Sequence, residues 1–146
     1  MMRLHRIPAG VAAAAIVAMA LAPVASASPR SGEVHITKDC TGFMGLAGQS
    51  CMITRSDLRA IPVGARIVYE SAVQGATLDT DISIATGPGN VATGHCTLDF
   101  LALPGRCDLS GGTGKLTHLH LSVVVSPDPM PGIWHWDGTF SFSAGA

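Results

Sequence analysis

Two-residue alternation of apolar and polar side chains, held over four long stretches, is the feature that most constrains this chain. Leu78, Ile82 and Ile84 alternate with Asp79, Asp81 and Ser83, and Cys96, Leu98 and Phe100 with His95, Thr97 and Asp99. Leu119, Leu121 and Val123 oppose His118, His120 and Ser122. Trp134, Trp136, Phe140 and Phe142 oppose His135, Asp137, Thr139 and Ser141. Successive side chains on a strand point to opposite faces, so each stretch reads as a strand with one dry and one wet face. From Val34 onward no ten-residue segment carries the 3.6-residue period of an amphipathic helix.

Eight strands follow from this pattern and from its turn residues: Val34–Thr37, Cys51–Ser56, Arg66–Ser71, Thr77–Ala85, Val91–Phe100, Arg106–Ser110, Lys115–Val125 and Trp134–Phe142. Gly87-Pro88-Gly89-Asn90, Pro104-Gly105 and Ser110-Gly111-Gly112-Thr113-Gly114 separate them as turns. The expected class is all-β. About eight antiparallel strands with short connections close into a small barrel that leaves no exposed edge. A two-sheet β-sandwich satisfies the same alternation and is the alternative. Ser126–Gly132, with three prolines, is a stiff strand connection or a rim over a barrel mouth.

The residues before this body read as a leader. Arg3, His5 and Arg6 form a basic head, Ala9–Ala22 is an apolar run, and Ala25-Ser26-Ala27 matches a signal-peptidase site. The run is shorter than the roughly 20 residues of a membrane span. Residues 1–27 are therefore expected to be a cleaved signal peptide, and residues 28–146 a single barrel domain that is secreted and keeps no membrane anchor. An uncleaved anchor is the competing reading. No cysteine precedes Cys40, which argues against a lipoprotein. From Ser28 onward seven basic residues face ten acidic ones, which excludes a nucleic-acid binder working through a broad basic face. Five histidines in this part begin to charge below a pH of about 6.5.

Four cysteines in an exported chain imply two disulfides, for which three connectivities exist. The spacing of Cys40, Cys51, Cys96 and Cys107 invites the local pairs Cys40–Cys51 and Cys96–Cys107. Each such loop is worth roughly 3 kcal/mol in the chain-entropy model. Against the second pair, a turn centred on Pro104-Gly105 sets Ala102 opposite Cys107.

Gly87-Pro88-Gly89-Asn90, the turn Gly111-Gly112-Thr113-Gly114-Lys115-Leu116 and the closing segment Trp134–Phe142 give the chain a likeness. It resembles small secreted bacterial proteins of the allene oxide cyclase-like barrel group, similar in fold to plant dirigent proteins. The resemblance covers roughly Val34 to Phe142. It implies an eight-stranded antiparallel barrel with an apolar interior, a hydrophobic small-molecule ligand, cyclase or isomerase activity, and homo-oligomeric assembly. It transfers no catalytic residue: only Glu33 and Glu70 are glutamates, and neither matches a cyclase motif.

Other motifs carry less chemistry than they first suggest. Gly112-Thr113-Gly114-Lys115 lacks the spacing of a phosphate loop and is followed by strand residues. His118-Leu119-His120, six residues after Gly112, matches the opening of a cupin metal motif, but Val123–Val125 stand where its glutamate belongs. Both imidazoles also oppose the apolar Leu119 and Leu121. No metal ligand and no cofactor is therefore assigned. His135 with Asp137 and His95 with Asp99 are too far apart along one strand for a fixed hydrogen bond, and no G-x-S-x-G supplies a nucleophile.

The first functional reading is an exported barrel that binds an apolar small molecule, with Leu98, Phe100, Trp134, Trp136 and Phe140 as the ligand-lining residues. The second is a non-catalytic secreted interaction or structural protein whose barrel is filled by its own side chains. The third is a cupin-like metalloprotein.

Overall fold

The computed structural model of the protein describes residues 20–23 and 30–143; the signal-peptide cleavage expected after Ala27 lies outside the described residues. Eight strands form one closed antiparallel barrel in sequence order: β1 (Ser31–Asp39), β2 (Ser50–Ser56), β3 (Arg66–Tyr69), β4 (Thr77–Gly87), β5 (Asn90–Asp99), β6 (Gly105–Gly112), β7 (Leu119–Pro127) and β8 (Ile133–Phe142). All eight expected strands are present. The sandwich alternative is excluded, because β1 pairs with β8 from Ser31↔Ser141 to Asp39↔Ile133 and closes the sheet.

Closure turns the alternation into an inside and an outside. Val34, Ile36, Ile53, Ile67, Ile82, Ile84, Leu109, Leu121 and Trp136 are among the side chains almost wholly withdrawn from water. Each aliphatic side chain buried in this way contributes about 1.5–3 kcal/mol relative to leaving it exposed.

The two ends of the barrel differ. At the lower end Leu58 and Ile61 from the β2–β3 connection and Leu116 from the β6–β7 connection are buried and plug the interior. Here the structure corrects the expectation of a continuous strand over Lys115–Val125. Gly114–Leu116 form a 3-10 turn, and β7 begins only at Leu119, after His118 in a left-handed conformation (φ +64°). Local hydrogen bonds compete with the strand: the Lys115 amide donates to Asn90 Oδ1 and the Thr113 hydroxyl to the Gly89 carbonyl. The resulting turn delivers Leu116 into the barrel.

Both disulfides lie toward the upper end. Cys40 joins Cys51, and Cys96 joins Cys107. The difficulty raised for the second pair disappears because the β5–β6 reversal is centred earlier than Pro104-Gly105. Asp99 directs it, its side chain accepting from the Leu101 amide and its carbonyl from Ala102. Thr97 then pairs with Arg106 and Cys96 falls directly opposite Cys107.

Gly138 shows how tightly the wall is drawn. A Cβ there would run into the Ser122 carbonyl oxygen and lie 2.8 Å from Val123 Cα on β7. Neither is a side chain that can swing away. Gly138→Ala is expected to lower stability by about 1–3 kcal/mol, read as a shift in the urea midpoint at unchanged slope.

Candidate functional site

The strand β1 continues its inward alternation past Val34 and Ile36 to Lys38, which is only 3% exposed. Among the described residues it is the one charged side chain in the barrel interior. A bulge in the β1–β2 pairing between Thr37 and Lys38 leaves Lys38 opposite Ile53 on one side, with Trp134 opposite on β8. Its Nζ donates to Tyr69 Oη at 2.5 Å and lies 4.6 Å from the Trp136 ring centre and 5.2 Å from that of Tyr69. The Trp136 face and the Tyr69 hydroxyl replace the water an ammonium ordinarily keeps. Burial therefore lowers the Lys38 amine to about 7 and pushes the Tyr69 phenol above its ordinary value. The Trp136 indole N–H, fully buried in the same part of the interior, has no acceptor among the described residues. An unpaired buried donor costs about 1–3 kcal/mol.

Above this pair is a cavity of about 40 Å³, bounded by Lys38, Tyr69, both disulfides and an apolar wall of Phe43, Leu78, Leu98, Phe100, Val125 and Trp134. By the same measure a single water needs about 10–15 Å³. Cys40, Phe43, Phe100 and Trp134 also border a shallower outer basin of about 540 Å³, whose remaining wall includes Met44, Leu46, Val73 and Gly132. The Phe100 and Trp134 rings meet edge-on at 6.0 Å between inner and outer space. Around this mouth Met44, Leu46, Leu101, Leu103 and Met130 expose apolar side chains.

Of the five ligand-lining residues expected from the sequence, the fold brings Leu98, Phe100 and Trp134 together at this cavity. Trp136 does not border it but underlies Lys38. Phe140 packs against Phe142 at 6.3 Å, toward the lower end, and takes no part. The expected first strand, Val34–Thr37, stops one residue short of Lys38, and Tyr69 lies within the expected strand Arg66–Ser71, whose faces the sequence reading does not assign. Extending the parity of Val34 and Ile36 by one step, and of Ile67 to Tyr69, finds both.

The histidines occupy the outside, and His35, His95 and His135 pair with carboxylates of a neighbouring strand or turn rather than along their own strand. His95 stands between Asp81 (2.8 Å) and Asp79 (2.6 Å) of the neighbouring β4. His35 meets Asp137 at 2.7 Å across the β1–β8 seam. His135 bonds Asp128 at 2.6 Å through Nε2, while its Nδ1 lies 3.3 Å from the Thr37 hydroxyl. This last line has the order of a hydrolytic triad, but its hydroxyl belongs to a mid-strand threonine rather than to a strained nucleophile turn. His118 and His120 are exposed, His120 lying 3.4 Å from the Ser143 hydroxyl. Among the described residues no three His, Cys, Asp or Glu side chains form a group able to hold a metal ion. In comparisons with known proteins the chain matches no family, no curated protein and no solved structure.

Two pH effects of opposite sign follow. Hydrogen bonds that the His95 ring donates to Asp81 and Asp79 raise its pKa, and the one that His35 donates to Asp137 raises that of His35. Their stabilisation is complete below pH 6.5 and fades as pH rises through the raised values. His95→Gln should therefore cost stability at pH 5.5 and little at pH 8.5 in urea unfolding. Lys38 acts the other way: the unfolded chain binds its proton up to the ordinary value near 10.5 while the folded chain releases it near 7, so stability grows over that window. Lys38→Met is expected to raise stability at pH 7 by about 2 kcal/mol or more, and the gain should shrink toward pH 10.

Proposed function

We infer that this is an exported barrel that binds an apolar small molecule at its upper end, with the molecule's polar end group set against Lys38 and Tyr69. The buried amine at the floor of an apolar cavity is the observation that carries this reading. A barrel that needed only stability would gain by replacing Lys38 with an aliphatic side chain, since an unpaired buried cation is costly. Small-molecule sites are typically apolar walls with a few converging polar groups, and the inner cavity and outer basin together have that composition. Export is supported by the leader at residues 1–27 and by two disulfides, which persist in oxidising compartments. The resemblance to allene oxide cyclase-like barrels accords with such a ligand.

A second reading, a non-catalytic interaction protein, is favoured by the small inner volume and by the exposed apolar rim of Met44, Leu46, Leu101 and Met130. Titration of the disulfide-intact protein with 1-decanol, followed by tryptophan fluorescence, separates the two. Saturable binding is expected, weakened about tenfold, or 1.4 kcal/mol, by Phe100→Asp at the mouth. No saturable response in the wild-type protein would favour the interaction reading.

A further inference from the structure

We propose that Lys38 forms an imine with the terminal aldehyde of a linear apolar molecule whose chain lies in the outer basin. This deepens the binding reading above and rests on it. The geometry selects the end group. The inner cavity, about 40 Å³, admits a group of a few atoms and reaches Lys38, whereas the 540 Å³ basin beyond Phe100 and Trp134 has room for a chain.

Charge selects between the polar groups of that size. Among the described residues Tyr69 from β3 and the Trp136 ring from β8 are what face the Lys38 nitrogen, and no carboxylate accepts a hydrogen bond from it. Thr80, the other buried polar side chain among the described residues, is engaged by the Ser71 amide and the Asp81 carbonyl. A carboxylate ligand would require both itself and the ammonium to be stripped of water. A neutral aldehyde enters without that cost and meets an amine that desolvation has brought to about 7. Lysines desolvated in apolar pockets are activated nucleophiles towards carbonyl carbon for this reason.

The step balances without a further reactant. The Lys38 lone pair attacks the aldehyde carbon and the C=O π pair moves to oxygen. A proton passes from nitrogen to that oxygen, giving a carbinolamine, and the C–O bond then breaks with loss of water to leave the C=N bond. No group is oxidised or reduced.

The chain beyond the leader contains a second lysine, Lys115, exposed in the turn at the opposite end of the barrel. It serves as an internal control. The disulfide-intact protein would be incubated with decanal at pH 7.4, trapped with sodium cyanoborohydride and mapped by peptide mass spectrometry. The expected result is one adduct per chain on Lys38, heavier by the mass of decanal less one oxygen. It should form about tenfold or more faster than any adduct on Lys115, be suppressed by excess 1-decanol, and be absent in Lys38→Met. Equal labelling of the two lysines, or labelling that decanol does not suppress, overturns the proposal. Failure to trap an adduct while 1-decanol or decanoic acid still binds overturns the imine but leaves the binding site standing. Failure of both adduct and binding removes the site itself. Because Lys38 and Lys115 are compared within one wild-type molecule, the result does not depend on a variant that folds.

Discussion

The seam between the first and last strands is the constraint on which the rest of the molecule depends. Nine registered pairs, from Ser31↔Ser141 to Asp39↔Ile133, join β1 to β8 and remove both edges of the sheet. Until they form, every strand has two faces but neither is interior. Once they form, alternate side chains of all eight strands are enclosed together, and the parity of each residue becomes its environment. The seam also holds the chemistry. Lys38 and Trp136 point inward from it, while His35, Asp137, Thr37 and His135 meet on its outer surface.

The contrast between the ends of the barrel gives that chemistry a direction. Below, Leu58, Ile61 and Leu116 are carried into the interior by connections that fold back over it. Above, the connections after β1, β5 and β7 spread their apolar side chains around an opening. The disulfides tie the end of β1 to β2 and join β5 to β6, and all four cysteines border the inner cavity, so its wall is cross-linked. A buried amine tolerated at such a place, instead of an aliphatic side chain, sets a stability cost against a reactive group.

Much of this was legible along the chain. The alternation at Leu78–Ile84, Cys96–Phe100, Leu119–Val123 and Trp134–Phe142 marks strands directly, because a period of two has few other physical meanings. The same parity sets Leu98, Phe100 and Trp134 on the dry face, and the fold brings these three to the wall of the inner cavity. What could not be read depended on pairing. His95 finds Asp81 because β4 and β5 set them opposite one another, and His135 finds Asp128 across a turn. Neither partner sits at a spacing that a single strand would suggest. The β5–β6 reversal, set by the hydrogen bonds of Asp99, likewise decided whether Cys107 faced Ala102 or Cys96.

The order of apolar and polar side chains, by itself, determined that the chain forms strands, which face of each is dry, and that turns divide it into eight. Those properties are local, written into residues two apart. Closure, the plugging of one end and the meeting of Lys38 with Tyr69 and Trp136 were decided only by the tertiary structure. They join residues from β1, β3 and β8, and whether a lysine on a strand is wetted or enclosed depends on how the whole sheet curves around it.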